Sequence, residues 1–245
     1  MTGKQYGAPA VDKAIDVIEY LAGQRRPQTI SDIAVALERT VGEVYRVVLA
    51  LERRQVLFKD PIDEKYTLSL SLLGIVNRFP PLNRIVSIAV DELDALCSET
   101  LQSCHLTVIQ GTGLYVAASF RAPLAMSFNV ATGARFDVVQ STSGRAILAF
   151  SSDQEVARFL ARKNELEQAA LQDELGRVRQ QGYAIESSRT VSGLVNISVP
   201  IIDSQGLAQA GVTVTFLKQQ DATLDADACL DRLRKRVERI RLRLG

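Results

Sequence analysis

The first seventy residues carry three apolar stripes at helical spacing, followed at once by two short alternating runs around a polar turn. Val11, Ala14, Ile15, Ile18 and Ala22 recur on one helix face, with Lys13, Asp16 and Glu19 elsewhere. Arg25-Arg26-Pro27 ends that helix, because proline removes a donor and clashes with the preceding turn. Ser31 stands where a second helix needs its N-cap, ahead of the stripe Ile33, Ala34 and Leu37. A short gap from Glu38 to Gly42 leads to a third helix with Val44, Val47, Val48 and Leu51 inward. VLFKD, a Pro-Ile-Asp-Glu turn and KYTLSL then read as a hairpin, with Val56/Phe58 and Tyr66/Leu68 as its alternating apolar positions. This order predicts a winged helix-turn-helix. Two helices brace each other, the second is offered to a major groove, and the hairpin touches the adjacent backbone. A plain three-helix unit gives the same stripes; the appended wing is what favours DNA binding.

SLLGIVNRF runs on to Pro80-Pro81, a natural boundary. Beyond it, Ile85, Ala89, Leu93 and Leu96 mark another helix. A strand-rich region follows: HLTVIQ, a Gly111-Thr112-Gly113 turn, LYVAAS, and LAMSFNV up to Gly133. Helices are expected in TSGRAILAF, DQEVARFLARK and Leu166 to Gln181, with Gly182 as the last one's stop. YAIE, NISVPIID, a Ser204-Gln205-Gly206 turn and LAQAGVTVTFL return to strand. A helix from about Leu224 to Leu244 closes the chain, its stripe Leu230, Leu233, Val237, Ile240 and Leu244 docked and its arginines solvated. Strands and helices segregated in this way predict an α+β domain, an antiparallel sheet packed by helices. The expected division is 8–73 for the winged helix, 74–84 for a linker helix and 85–245 for the second domain.

Composition narrows the chemistry. No stretch approaches the ~20 apolar residues of a membrane span, and the N-terminus has no apolar signal core, so a cytoplasmic protein is expected. Cys97, Cys104 and Cys229 show no CxxC spacing and read as reduced thiols. A single histidine, His105, leaves little for a histidine metal cage or a catalytic triad. No phosphate loop, GxGxxG or activated nucleophile is present, so neither an enzyme nor a cofactor is expected.

Longer stretches carry a family resemblance. AVDKAIDVIEYLA, ISDIAVALE, EVYRVVLALERRQVL and KYTLSLSLLG, and then STSGRAILAF, VRQQGYAIESSRTVSGLVNISVPIIDSQG and LAQAGVTVTF, follow in order and spacing. Over nearly the whole chain they resemble the IclR family of bacterial transcriptional regulators. The resemblance implies a mainly α winged helix-turn-helix followed by an α+β, GAF/PAS-like effector domain. It also implies a regulator of catabolic genes that responds to a small organic acid. The chain departs from the family pattern at Glu38, where the tight turn usually has glycine, at Thr40-Val41-Gly42-Glu43, where Pro-Lys-Ser-Thr is usual, and at Ser69.

Residues 1–80 hold eleven Lys and Arg against ten Asp and Glu, so any grip on DNA must come from local placement. Arg39 in the turn, Glu43, Tyr45 and Arg46 on the recognition helix, and Lys59 and Lys65 on the wing are the candidates. Glu43 would repel phosphate yet accept a hydrogen bond from a cytosine amino group. Such a weak charge predicts modest affinity per subunit, hence a homodimer, or a tetramer, on double-stranded operator DNA.

In the second domain, Ser141 to Ala146 lies where a loop enters a helix, a seat suited to a carboxylate. Thr213 and Thr215 share a strand face opposite Val212, Val214 and Phe216, and two such hydroxyls call for partners. The resemblance implicates Thr142, Ser143, Ser187, Asn196, Thr213 and Thr215 in holding a small carboxylate effector. His105 opens a strand and could serve as a ligand donor or a pH-sensitive contact, but a satisfied edge histidine is the plainer reading; Arg121, Arg135 and Arg189 could help hold an anion, with solvated surface the plainer reading for each. The competing reading is a small-molecule-binding or protein-interaction module with weakened or lost DNA binding, suggested by Glu38, Gly42, Glu43 and the low charge.

Overall fold

The computed structural model describes residues 7–76, 78, 80–218 and 224–245. The chain divides into two compact units, Met1–Pro80 and Pro81–Gly245.

In the first unit, α1 (Pro9–Ala22), α2 (Ile30–Ala36) and α3 (Val41–Arg53) precede a hairpin of β1 (Leu57–Lys59) and β2 (Tyr66–Leu68) and a short α4 (Ser71–Val76). Val17, Leu21, Ile33, Ala34, Val44, Val48, Leu57 and Tyr66 form its core. The cap of α2 is Thr29, not the expected Ser31: its hydroxyl accepts from Asp32 N, and the Asp32 carboxylate accepts from Thr29 N at 2.9 Å. This reciprocal pair satisfies two donors that a helix start leaves open. Thr40 and Glu43 repeat the device at the start of α3. Between the two helices Glu38 takes a left-handed φ of 54°, a conformation glycine adopts at no steric cost. The first strand of the hairpin is one residue out of the expected phase, while Tyr66 and Leu68 of the second face the core as expected. Leu57 is buried opposite Leu68, while Phe58, opposite Thr67, is exposed. The stretch 74–84 is not one helix: α4 ends at Val76, and a new helix begins at Pro80, where proline's missing N–H costs nothing.

The second unit comprises α5 (Pro80–Thr100), β3 (Cys104–Gln110), β4 (Gly113–Phe120), β5 (Arg135–Asp137), α6 (Thr142–Leu148), α7 (Asp153–Leu160), α8 (Glu165–Gln181), β6 (Ala184–Ser187), β7 (Leu194–Ile202), β8 (Ala208–Leu217) and α9 (Ala226–Leu244). Its strands form one antiparallel sheet in the order β5-β4-β3-β8-β7-β6. The expected strand in LAMSFNV is absent; 124–130 is irregular chain, and β5 follows it instead. Gly182 ends α8 with φ 83°, the left-handed stop its position implies.

Strand alternation gives the sheet two unlike faces. Cys104, Leu106, Ile197, Val199, Val212, Val214 and Phe216 join Leu93 and Leu96 of α5 and Leu233 and Ile240 of α9 in one core. Each fully buried leucine there contributes about 1.5–3 kcal/mol by leaving water. The arginines of α9 are not merely solvated. Arg236 donates to Glu92 at 2.7 Å and pairs with Glu99, and Arg243 reaches Glu92 at 3.2 Å, so ion pairs lock α9 to α5. On the opposite face His105, Thr107, Asn196, Ser198, Thr213 and Thr215 alternate with that core, and α6 and α8 bring Ala146, Leu148, Leu171 and Leu175 into a second one. Gly211 lets α6 come close: a methyl there would stand 3.0 Å from Ile147.

Candidate functional site

The candidate DNA interface is α3 with the wing. Tyr45 and Arg46 are exposed on α3 and make no hydrogen bond or ion pair within the protein. The other candidates are engaged. Arg39 donates to Asp16 of α1 at 2.6 Å. Lys59 donates to Glu64 at 2.7 Å, and Lys65 lies 3.1 Å from Asp63. Glu43 accepts from Lys13 at 2.6 Å and from Thr40 Oγ1 at 2.9 Å, and these contacts hold its carboxyl down to about 2. The carboxylate that departs from the family pattern is therefore a capping group, neutralised by α1, rather than an open reader of bases.

In the second unit a cavity of about 370 Å³ opens on the polar face of the sheet. Thr142 and Ser143 reach it from α6, Ser187 from the end of β6, Asn196 from β7, and Thr213 and Thr215 from β8. All six residues named from the sequence thus meet around one space. Phe128, Val130, Ala131, Ala134, Phe136 and Leu194 give it apolar walls. Such a wall with a few convergent polar groups is the usual make-up of a small-molecule site.

The hydroxyls of β8 do not depend on a ligand for their own hydrogen bonds. Thr213 donates to Ser198 Oγ at 2.9 Å, and Thr215 donates to the Ser103 carbonyl at 3.2 Å. Ser143, by contrast, is buried, lines the cavity and bonds to nothing else in the protein. Ser141 caps α6 by accepting from Gly144 N at 3.2 Å.

Two features fall on the less favoured of the sequence alternatives, and a third was not read at all. His105 is neither on an edge nor satisfied: β3 lies between β4 and β8, and its buried ring lines the cavity without a hydrogen bond. Burial pushes its pKa down to about 4. Its place on the polar face follows from the alternation of Cys104 and Leu106, so the signal was present. Arg189 is exposed as expected, but it also lies in the cavity lining and donates to Gln140. Arg145, on α6 itself, is almost wholly buried; it donates to the Val139 carbonyl at 2.6 Å, pairs with Glu186, and its Nε lies 2.6 Å from Glu174. Glu186 also accepts from Thr142 Oγ1 at 3.3 Å, so the cavity's carboxylate is compensated from behind. Burial pushes the Glu174 carboxyl up, against the pull of Arg145. Its partners lie far apart in sequence, which left no local pattern to read.

Among the described residues no helix is long and apolar enough to cross a membrane, and no group of three or more His, Cys, Asp or Glu is placed to hold a metal.

Comparisons with known proteins agree with this architecture. The IclR helix-turn-helix domain model matches residues 10–61, and the model described as bacterial transcriptional regulator IclR C-terminal matches 82–242. The chain is 26% identical over 242 residues to the HTH-type transcriptional regulator BhcR of Paracoccus denitrificans, covering 94% of this chain and 86% of that one. It is 25% identical over 218 residues to the HTH-type transcriptional regulator KdgR of Escherichia coli, covering 84% and 81%. Its fold is similar to the Thermotoga maritima IclR structure, with a TM-score of 0.76 at 22% identity over 96% of this chain and 98% of that one. It is also similar to an IclR homolog from Microbacterium hydrocarbonoxydans complexed with 4-hydroxybenzoate, with a TM-score of 0.79 at 21% identity and the same coverage. Both the DNA-binding half and the C-terminal half are matched, which favours a regulator over a module that has shed DNA binding. With its C-terminal domain model alone spanning more than half its length, the chain belongs to the IclR family of bacterial transcriptional regulators.

Proposed function

We propose that this regulator senses a small organic carboxylate in the cavity on the polar face of its sheet and passes that signal to operator DNA held by α3 and the wing. The observation that carries the reading is the meeting of six polar residues from α6, β6, β7 and β8 around one apolar-walled cavity. The open donors there are the Ser143 hydroxyl and the Asn196 amide, with Arg189 beside them, and donors are what a carboxylate needs. A related regulator's structure holds 4-hydroxybenzoate, an acid of this kind. On the DNA side, Arg46 offers a free cation and Tyr45 an exposed ring for contact. Arg39, Lys59 and Lys65 reach phosphate only by loosening their internal ion pairs.

The functional unit is a homodimer on a two-part operator, since one such domain with a near-neutral charge binds weakly. Val11 and Ile15 of α1 and Leu73, Ile75 and Val76 of α4 are exposed apolar groups available for pairing. The acid switches DNA affinity to the extent that it binds the two arrangements of the paired domains unequally. The genes controlled are those for catabolism of the acid, and the protein itself turns nothing over and works in the cytoplasm.

Selection of genomic DNA fragments on the full chain, with and without a panel of small acids, tests this reading. Recovery of one preferred pseudo-palindromic sequence, lost or gained on adding an acid, is expected. Recovery of no preferred sequence, or turnover of the acid, would contradict it.

A further inference from the structure

We propose that His105 selects effectors bearing a hydroxyl group remote from their carboxylate. The inference rests on the reading that this cavity holds a small organic acid, and it narrows the class to hydroxy acids.

His105 is the only histidine in the chain. It is 6% exposed, lines the cavity and makes no hydrogen bond within the protein. Its nitrogens are not among the fully enclosed unpartnered atoms of the described residues, so the ring stays open to the cavity and its hydrogen-bond partner comes from there. Burial keeps the ring uncharged at neutral pH. Uncharged, it offers one N–H donor and one bare nitrogen acceptor.

The groups around it sharpen the match. Its register partners are Ser119 on β4 and Thr213 on β8. Both have spent their hydroxyl protons, Ser119 on Asn129 Oδ1 at 2.6 Å and Thr213 on Ser198 Oγ at 2.9 Å. Thr107, two residues on along the same face, donates to the Gly211 carbonyl at 3.2 Å. Of these hydroxyls Thr213 lines the cavity and leaves lone pairs open there, while Asn129 keeps its amide N–H groups for the cavity. A mixed set of open acceptors and donors suits a group that both gives and takes a hydrogen bond. A hydroxyl does both. A carboxylate only accepts, and it finds better donors at Ser143, Asn196 and Arg189. The two sets of groups therefore suit different groups on one ligand.

Calorimetric titration of the full chain with matched pairs tests the proposal: benzoate against its 3- and 4-hydroxy forms, and butyrate against its 3- and 4-hydroxy forms. In the wild-type protein, at least one hydroxylated acid is expected to bind about tenfold or more tightly than its parent. His105→Phe, which fills the space without hydrogen bonding, is expected to bring that ratio close to one. His105→Asn, which keeps a donor and an acceptor, retains part of it. A role in packing alone moves both members of a pair equally. Equal affinities within every pair for the wild-type chain, or a ratio that survives in His105→Phe, would overturn the proposal while leaving acid sensing intact. If no acid of any kind binds, the proposal and the sensing function fall together.

Discussion

Lys13 of α1 donates to the Glu43 carboxylate at 2.6 Å, so the acidic group at the start of the recognition helix is held from behind by its neighbour. The same carboxylate accepts from Thr40 N and Thr40 Oγ1. Those bonds, that of Lys13 foremost, draw its pKa from an ordinary 4.5 to about 2. A depressed acid stabilises the fold while it is ionised. Its contribution is complete above about pH 4.5 and fades as the pH falls through about 2. Thermal melts across that window are expected to show a steeper acid-side loss for the wild-type chain than for Glu43→Gln. Parallel curves would contradict the capping role.

Arg46, near the start of the recognition helix, and Arg53, at its last residue, are exposed cations with no ion pair among the described residues, and Arg46 is the one beside the reading end. If it binds phosphate, Arg46→Ala releases one fewer counterion, and the slope of log K against log salt flattens by about 1. Anisotropy titrations of an operator duplex at several salt concentrations read this directly. An unchanged slope removes Arg46 from the interface.

Arg145 stands between Glu174 and Glu186 beneath the cavity. Replacing it by methionine leaves two partly buried carboxylates without a counter-charge, at a cost of about 3 kcal/mol. Adding Glu186→Gln to Arg145→Met is expected to recover part of that loss, because it removes one of the stranded charges. Denaturant unfolding of the single and double variants measures both. A double variant no more stable than the single one would show that Arg145 acts by packing alone.

Gly144 is the point at which α6 passes closest to the preceding loop. A Cβ there would run into the Val138 carbonyl oxygen and stand 2.7 Å from Ser141 Oγ, the cap of the helix. Gly144→Ala is expected to destabilise the domain by about 1–3 kcal/mol and to weaken acid binding, since Thr142 and Ser143 move with the turn. Wild-type stability and wild-type binding together would contradict this placement.

Much of this arrangement was legible in the residues because burial and periodicity coincide. The stripes containing Val44 and Val48, Leu93 and Leu96, and Leu233 and Ile240 are the faces that pack. The alternation of Thr213 and Thr215 with Val212 and Val214 gave the polar face of the sheet, and with it most of the cavity. The failures also have physical causes. A three-residue strand such as Leu57–Lys59 is too short for period to decide between Leu57 and Phe58. Ser31 and Thr29 are both capable caps, and Asp32, three residues after Thr29, is the mark that separates them. The strand Arg135–Asp137 is exposed and holds a single apolar residue, Phe136, too few for an alternation to show. Arg145 looked like one charge in an apolar helix because its partners lie 29 and 41 residues further on, on α8 and β6.

A sensor of this kind changes its hold on DNA when its cavity fills. The direct measurement is the affinity of the full chain for its selected operator, with and without a saturating bound acid, in the wild-type protein and in Thr215→Val/Ser143→Ala. The expected result is a shift of about 5–150-fold in the wild-type chain and a much smaller one in the cavity variant at the same acid concentration. An operator affinity that stays the same when calorimetry shows the cavity occupied would contradict the account at its centre.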